Sequence, residues 1–163
     1  MKDIFKEVIE EVSKLDTIEE AIALASKREK DARAFYREKA SATEDVQLKE
    51  LYTYLAEEEG KHLGYLEAYR EKLELPDEEA KAPETQSFTP EFKQTDTRLG
   101  AIGVLIAAMR HERKSEYFYS ELAKQAGNEP RRKFFEMLAG YERGHYELID
   151  NYLESMTEFR MQT

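Results

Sequence analysis

Two Glu-x-x-His motifs are the residues of this sequence whose types and spacing could do chemistry: Glu59 with His62, and Glu142 with His145. A spacing of three residues places the carboxylate and the imidazole on the same face of a helix. Mixed carboxylate and imidazole ligands suit iron or manganese, and zinc is also compatible. A single motif of this kind is more often a surface pair or a satisfied core pair, so the surrounding pattern decides the interpretation.

An internal repeat connects the two motifs. When the sequence is shifted by 83 residues, the stretch 24–69 aligns with 107–152 without a gap. The identities on this register include both motifs and a further pair of glutamates, Glu29 and Glu112. Chance is a poor explanation for so many matches on one offset. The repeat therefore predicts the same helical hairpin twice.

Apolar residues recur at alternating steps of three and four within each half, which is the period of a helix face packed in a bundle. The predicted helices cover 17–41, 46–74, 97–126 and 130–157. Asp16 or Thr17 can cap the first of them. The sequence therefore predicts an all-α fold built from two helical hairpins.

Two further segments complete the predicted organisation of one domain over 17–160, with hairpins at 17–74 and 97–157. Residues 75–96 are Pro-rich and polar, and we expect a long crossover between the hairpins. Residues 1–16 form an amphipathic helical extension. It either packs on the bundle, which we favour, or makes a subunit contact.

The six glutamates and histidines are expected to lie in one layer. Glu29 and Glu59 are equally far from the turn at residue 44, and Glu112 and Glu142 are equally far from Gly127. Fifteen helical residues place each pair about 22 Å from its turn. Four buried carboxylates would repel one another, whereas two divalent cations would balance them. We predict that the same six residues bind metal and carry the catalysis: Glu29, Glu59, His62, Glu112, Glu142 and His145.

Residues near these six are expected either to pack in the core or to face solvent. Tyr36 and Tyr119 lie two helical turns after Glu29 and Glu112, where they either pack in the core or donate a hydrogen bond to a ligand carboxylate. The helical period directs the neighbours of the predicted ligands away from the core. We expect three such neighbours to face solvent: Glu57, Glu58 and His111.

Composition excludes several classes of function. The sequence has no cysteine, which rules out disulfides, thiolate catalysis and rubredoxin-type iron sites. A formal net charge of −10 without a basic stripe argues against nucleic-acid binding. The nearly apolar run Leu99–Met109 is too short to span a bilayer, and residues 1–7 lack a signal-peptide core. We therefore expect a soluble, cytoplasmic protein without a membrane partner.

The stretches 28–36 and 55–62, both repeated in the second half, resemble the first and second helix motifs of the rubrerythrin branch of the ferritin-like family. The resemblance covers about 17–155 and implies a ferritin-like four-helix bundle. It also implies a carboxylate-bridged di-iron centre that reduces hydrogen peroxide or reacts with dioxygen, with a role in oxidative stress. Homodimers, some with exchanged helices, are a further implication.

Two departures from the family pattern bear on function. Rubrerythrins carry a cysteine-ligated rubredoxin domain, so here electrons would come from a separate protein such as a rubredoxin. The family also has an extra glutamate where this chain has Ser115. Our leading hypothesis is a di-iron oxidoreductase that acts on hydrogen peroxide or dioxygen. The alternatives are a ferroxidase or another iron-handling or storage protein, and a purely structural bundle.

Overall fold

The computed structural model describes residues 3–75 and 98–161, and these ranges contain five α-helices and no strand. The helices are α1 Ile4–Ser13, α2 Ile18–Ala42, α3 Val46–Lys72, α4 Arg98–Lys124 and α5 Glu129–Met161. The all-α prediction is confirmed. Each of the four long helices begins within a residue of its predicted start, and α5 extends four residues beyond its predicted end at 157.

The chain divides into two compact units: residues 13–89, which hold α2 and α3, and residues 1–12 with 90–163, which hold α1, α4 and α5. Most of the predicted crossover at 75–96 lies outside the described residues. The assignment of 17–160 to a single domain stays a prediction. None of the helices in the described ranges combines the length and the apolar character needed to cross a bilayer.

Side-chain caps determine where the helices of the first hairpin begin. Thr17 is the N-cap of α2, and its hydroxyl accepts a hydrogen bond of 3.1 Å from the Glu20 backbone N–H. Asp45 is the N-cap of α3, and its carboxylate accepts from the backbone N–H groups of Gln47 and Leu48 at 2.9 and 3.1 Å. Each cap satisfies N–H groups that have no partner within the helix. Only the short turn 43–45 separates the two helices.

The second hairpin is organised in the same way. Asn128 accepts a hydrogen bond of 2.9 Å from the Arg131 backbone N–H at the start of α5. Pro130 occupies the first turn of that helix, where a missing N–H has no cost. The connection between α4 and α5 is again a few residues long, so the two helices are antiparallel neighbours.

The short helix α1 packs on α4 within the second unit. Val8 and Val12 are fully buried, and the Phe5 ring meets the Tyr117 ring edge-on with centroids 5.6 Å apart. The Lys114 ammonium lies 3.1 Å from a Glu7 carboxylate oxygen. These contacts support packing on the neighbouring helices as the role of α1.

Candidate metal centre

The first hairpin brings three of the predicted ligands together. Glu29 comes from α2, and Glu59 and His62 come from α3. All three side chains are buried, with at most 3% of their surface exposed. His62 Nδ1 lies 3.5 Å from Glu29 Oε2 and 3.5 Å from Glu59 Oε2. The imidazole is therefore enclosed by two carboxylates from two helices.

The second hairpin repeats this arrangement. Glu112 comes from α4, and Glu142 and His145 come from α5. His145 Nδ1 lies 3.5 Å from Glu112 Oε2 and 3.9 Å from Glu142 Oε2. The exposed fraction is 0% for Glu112, 1% for Glu142 and 5% for His145. Within each hairpin the two glutamates meet at one height, as their equal distances from the turn predict.

Each cluster has the donor set that a cation needs. One imidazole nitrogen and two carboxylate oxygens lie within 4.8 Å of one another in each hairpin. Hard carboxylate oxygens with an imidazole nitrogen fit iron, manganese or zinc, and these donors are held in a dry interior. Two buried carboxylate and histidine clusters of this kind are consistent with a di-metal site.

In the first hairpin, charge is balanced by a proton on the imidazole. Burial disfavours the charged form of His62, but hydrogen bonds and charge from Glu29 and Glu59 outweigh it and raise the pKa of His62 to about 10. At neutral pH the metal-free cluster therefore contains an imidazolium. This proton has to leave before the ring can bind a metal.

In the second hairpin, Glu112 is held in its ionised form although it is buried. Burial opposes the ionisation of Glu112, but interactions with Glu142, with His145 and with the His111 imidazole outweigh it. The pKa of Glu112 is therefore held far below its usual range.

The prediction that His111 faces solvent is wrong, because only 8% of its surface is exposed. The helix α1 runs antiparallel to α4, with Phe5 next to Tyr117 and Glu11 next to Lys114. The C-terminal turn of α1 therefore lies toward His111, one turn before Lys114. The stripe pattern assigned a single buried face to α4, whereas α1 covers a second one.

The expectations for the remaining residues near the clusters are met in part. Glu57 is exposed as predicted, whereas the Glu58 side chain is only 17% exposed and its carboxylate lies 2.9 Å from the Lys61 ammonium. Tyr36 and Tyr119 are buried, and the Tyr36 ring stacks on Tyr52 with centroids 6.5 Å apart. Their core packing is therefore confirmed, and a hydrogen bond to a ligand carboxylate stays a prediction.

Sequence reasoning missed a contact beside the first cluster. The guanidinium of Arg33, on α2, lies over the backbone of Gly60, on α3. Arg33 comes one helical turn after Glu29, and Gly60 follows Glu59 directly. The repeat gives no sign of this contact, since the positions equivalent to Arg33 and Gly60 hold Glu116 and Arg143.

Comparison with known proteins agrees with this architecture. A sequence model of the rubrerythrin family matches residues 20–153. A hypothetical protein from Pyrococcus furiosus has a similar structure, with a TM-score of 0.76, 28% sequence identity, and coverage of 88% of this chain and 92% of that chain. No curated protein matches at a significant level. Two hairpins and an N-terminal helix are consistent with a ferritin-like four-helix bundle, and the match over most of the sequence shows that this chain belongs to the rubrerythrin family.

Proposed function

We propose that this chain is a non-haem di-iron protein that reduces hydrogen peroxide or reacts with dioxygen, with electrons from a separate carrier such as a rubredoxin. One observation carries the proposal: each hairpin buries a Glu, Glu, His cluster whose donor atoms converge. Membership of the rubrerythrin family supports the same chemistry.

Both clusters would contribute to one centre of two metal ions, and charge is the argument for this number. Four carboxylates, two from each hairpin, carry four negative charges when ionised, and two divalent cations balance them. Buried charges without such compensation would cost several kcal/mol each. The proposed ligands are Glu29, Glu59, His62, Glu112, Glu142 and His145. Iron is the proposed metal, and manganese or zinc suits the same donors.

The bound ions would supply the redox chemistry and would polarise the O–O bond of the oxidant. The chain's own residues prepare the site. Glu29 and Glu59 hold the His62 ring in position, and this ring releases a proton when a cation takes its place. Tyr36 and Tyr119 are buried on the same helices and add bulk to the core.

A ferroxidase or another iron-handling protein is the second candidate, and Ser115 favours it. This residue is buried in α4 at the position where the family has an extra glutamate. A serine cannot supply a negative ligand, so a shift of one iron between histidine and glutamate is not available here. The second candidate predicts oxidation of ferrous iron without sustained peroxide turnover.

The test follows the diferrous protein, prepared without oxygen, after mixing with hydrogen peroxide and then with a reductant. Rapid oxidation followed by repeated turnover supports the peroxide reductase. Slow oxidation that stops after one cycle contradicts it. Glu59→Gln should abolish the reaction, whereas the matched control Glu57→Gln, on the exposed side of the same turn, should leave it intact.

We further propose a homodimer in the cytoplasm, in which one hairpin can be exchanged between chains. The support is the long segment 75–96, which separates the hairpins in sequence and could allow such an exchange. Light scattering of the purified protein tests the stoichiometry. A monomer at micromolar concentration would contradict the proposal.

A further inference from the structure

A second stripe of residues runs along α5 beside the stripe that forms the core. The core stripe includes Phe135, Leu138 and Ile149, which are at most 1% exposed. The residues that directly precede the core positions form the second stripe, which we call the outer seam. Its members are Phe134, Met137, Tyr141, Gly144, Leu148, Asn151 and Ser155. They alternate in steps of three and four, which is the pattern of a helix that packs along a neighbouring helix.

The outer seam is exposed although it is uncharged. Met137, Tyr141 and Leu148 are 39%, 40% and 37% exposed, and a Cβ atom added at Gly144 would meet no atom within 4 Å. None of the seam residues is charged, whereas Asp and Glu make up 35 of the 163 residues of the chain. An exposed apolar patch marks an interaction site, and tyrosine and methionine are enriched in interfaces from which charges are depleted. The outer seam therefore has the composition of an interface.

The equivalent positions of the first hairpin carry charges. A shift of 83 residues maps the outer seam onto these positions of α3: Leu51, Tyr54, Glu58, Lys61, Tyr65, Ala68 and Lys72. Glu58 and Lys61 occupy the centre of this face, and their side chains form an ion pair at 2.9 Å. In α5, Tyr141 and Gly144 stand in their places. The hairpin fold therefore does not require an uncharged face here, and the difference calls for a contact that α5 alone makes.

We propose that the outer seam of α5 binds the outer seam of a second copy of this chain, with the two helices antiparallel about a two-fold axis at Gly144. The inference rests on the homodimer proposed above and is independent of the metal chemistry. Such an axis places each residue opposite the residue equally far beyond Gly144 in the other copy. Leu148 of each copy then meets a hole in the other copy, lined by Met137, Gly140, Tyr141 and Gly144. This contact is knobs-into-holes packing, and the symmetry forms it twice.

Charge and symmetry favour a second copy as the occupant. A formal net charge of −10 makes two copies repel each other, and the outer seam lets them approach without bringing carboxylates together. Lys133 and Glu154 are exposed at opposite ends of the seam, eleven residues before and ten residues after Gly144. The two-fold axis therefore brings Lys133 of each copy next to Glu154 of the other. From Phe134 to Ser155 the contact is about 32 Å long, which is the width of a small domain.

The first experiment gives α5 the charge pair of α3 in a double variant, Tyr141→Glu with Gly144→Lys. In α3 the same pair, Glu58 and Lys61, stands directly beside ligands of the first cluster, so the pair is compatible with an intact cluster. Sedimentation velocity of the full-length, metal-loaded protein measures the dissociation constant of the dimer. We expect the double variant to raise this constant by about thirtyfold or more, as substitutions at the centre of an interface do.

The matched control for the double variant lies in the first hairpin. Tyr54 is 47% exposed and occupies the position in α3 that Met137 occupies in α5. Tyr54→Glu should leave the dissociation constant unchanged, because the face of α3 is outside the proposed contact. Circular dichroism of both variants should show the helix content of the wild type, since every substituted position is exposed.

The absence of cysteine from the sequence permits a second, direct test. Gly144→Cys places a single thiol of each copy at the two-fold axis. Packed helices lie about 8–10 Å apart from axis to axis, so the two sulfur atoms are within reach of a disulfide. Mild oxidation should link most of the protein into a covalent dimer on a non-reducing gel. Lys61→Cys, at the equivalent position of α3, should remain a monomer on the same gel.

The outcomes distinguish the interface from the homodimer. An unchanged dissociation constant in the double variant, or no covalent dimer from Gly144→Cys, overturns the inference, while a dimer formed by exchanged hairpins stands. Equal crosslinking of Lys61→Cys also overturns it, because random collisions would then explain the disulfide. A monomeric wild type overturns the homodimer and the inference together, and leaves the di-metal proposal intact. A weakened dimer in the double variant, with crosslinking of Gly144→Cys alone, supports the inference.

Discussion

The two hairpins of this protein share their ligand geometry and differ in what surrounds it. His62 and His145 each have Nδ1 at 3.5 Å from the glutamate of the preceding helix. Beside them, however, the first hairpin carries Arg33 on Gly60, and the second carries Glu116 paired with Arg113. The comparison indicates that the repeat has kept the positions that hold donors and has changed positions next to them.

The two clusters also handle charge differently in the absence of metal. A proton on His62 balances the first cluster, whereas interactions with Glu142, His145 and His111 keep Glu112 ionised in the second. The His62 proton is a temporary substitute for a cation, because metal binding must displace it. Metal binding should therefore release protons and weaken as the pH falls.

The largest effect should come from breaking one cluster and leaving the other. A metal at 100 to 1,000 times its dissociation constant stabilises the fold by about 3–4 kcal/mol. For a chain of this size that corresponds to a rise in melting temperature of about 10 °C. Glu59→Ala should remove much of this rise in melting temperature. Glu142→Ala, in the other hairpin, should remove a similar part of it. Thermal melts with and without Mn²⁺ measure it, and Glu57→Ala is the control. A melting temperature that does not change when Mn²⁺ is added would favour a purely structural bundle.

The next largest effect is a dependence of folding stability on pH, which arises in the first hairpin alone. The pKa of His62 is about 10 in the folded state, above the ordinary value of 6.5. The folded state then binds the proton more tightly, so the stabilisation is complete below pH 6.5 and is lost as the pH rises toward 10. The metal-free wild type should lose stability across this window by an amount on the order of a few kcal/mol.

Denaturant unfolding of the metal-free protein at several pH values provides the measurement. His62→Gln should flatten the profile between these pH values, because the group that gains the proton has been removed. A profile that keeps its slope in this variant would assign the pH dependence to other residues.

A smaller effect distinguishes the two hairpins, because α1 belongs to the second unit. Lys114→Met removes two ion pairs with α1, whose side chains are 18–28% exposed. Partly exposed pairs of this kind contribute about 0.5–1 kcal/mol in total. Hydrogen exchange should show faster opening of α1, with the bound metal unchanged. Arg132→Met is a control, since that guanidinium pairs with Glu129 and Glu136 of its own helix. Loss of metal in Lys114→Met would show that α1 supports the second cluster.

The smallest effect tests whether the hairpins are equally tolerant on the exposed faces of α3 and α5. Gly64 on α3 and Gly144 on α5 both have open space where a side chain would begin. Replacing either by alanine should raise the free energy of unfolding by about 0.5–1 kcal/mol, because glycine is a poor helix former. Equal gains, measured by denaturant unfolding, would confirm that the two helices behave alike there. A loss in one would reveal a hidden contact at that glycine.

Much of this architecture could be predicted from sequence because the repeat carries its own alignment. The period of the apolar stripes predicted the positions of α2 to α5. The equal distances of Glu29 and Glu59 from their turn predicted that the two side chains lie at the same height. The capping role of Thr17 was one of two options, and only the hydrogen bond to Glu20 selects it over Asp16. Local patterns were sufficient for these features, since each depends on one helix or one hairpin.

The features that could not be predicted depend on contacts from a third element or from an unusual neighbour. His111 was predicted to be exposed because the apolar stripe defines only one buried face of α4, whereas α1 covers another face of that helix. The approach of Arg33 to α3 depends on the absence of a Cβ atom at Gly60. A charged residue on the flank of a helix is normally solvated, so its type alone gives no sign of such a contact.

The most direct test of the central claim is the metal content of the protein purified without oxygen, measured by elemental analysis per chain. The account predicts about two iron or manganese ions per wild-type chain, and a reduced content in both Glu59→Ala and Glu142→Ala. Little bound metal, with no uptake when ferrous iron is added, would contradict the account. The two buried clusters would then have to be explained by protons and hydrogen bonds alone.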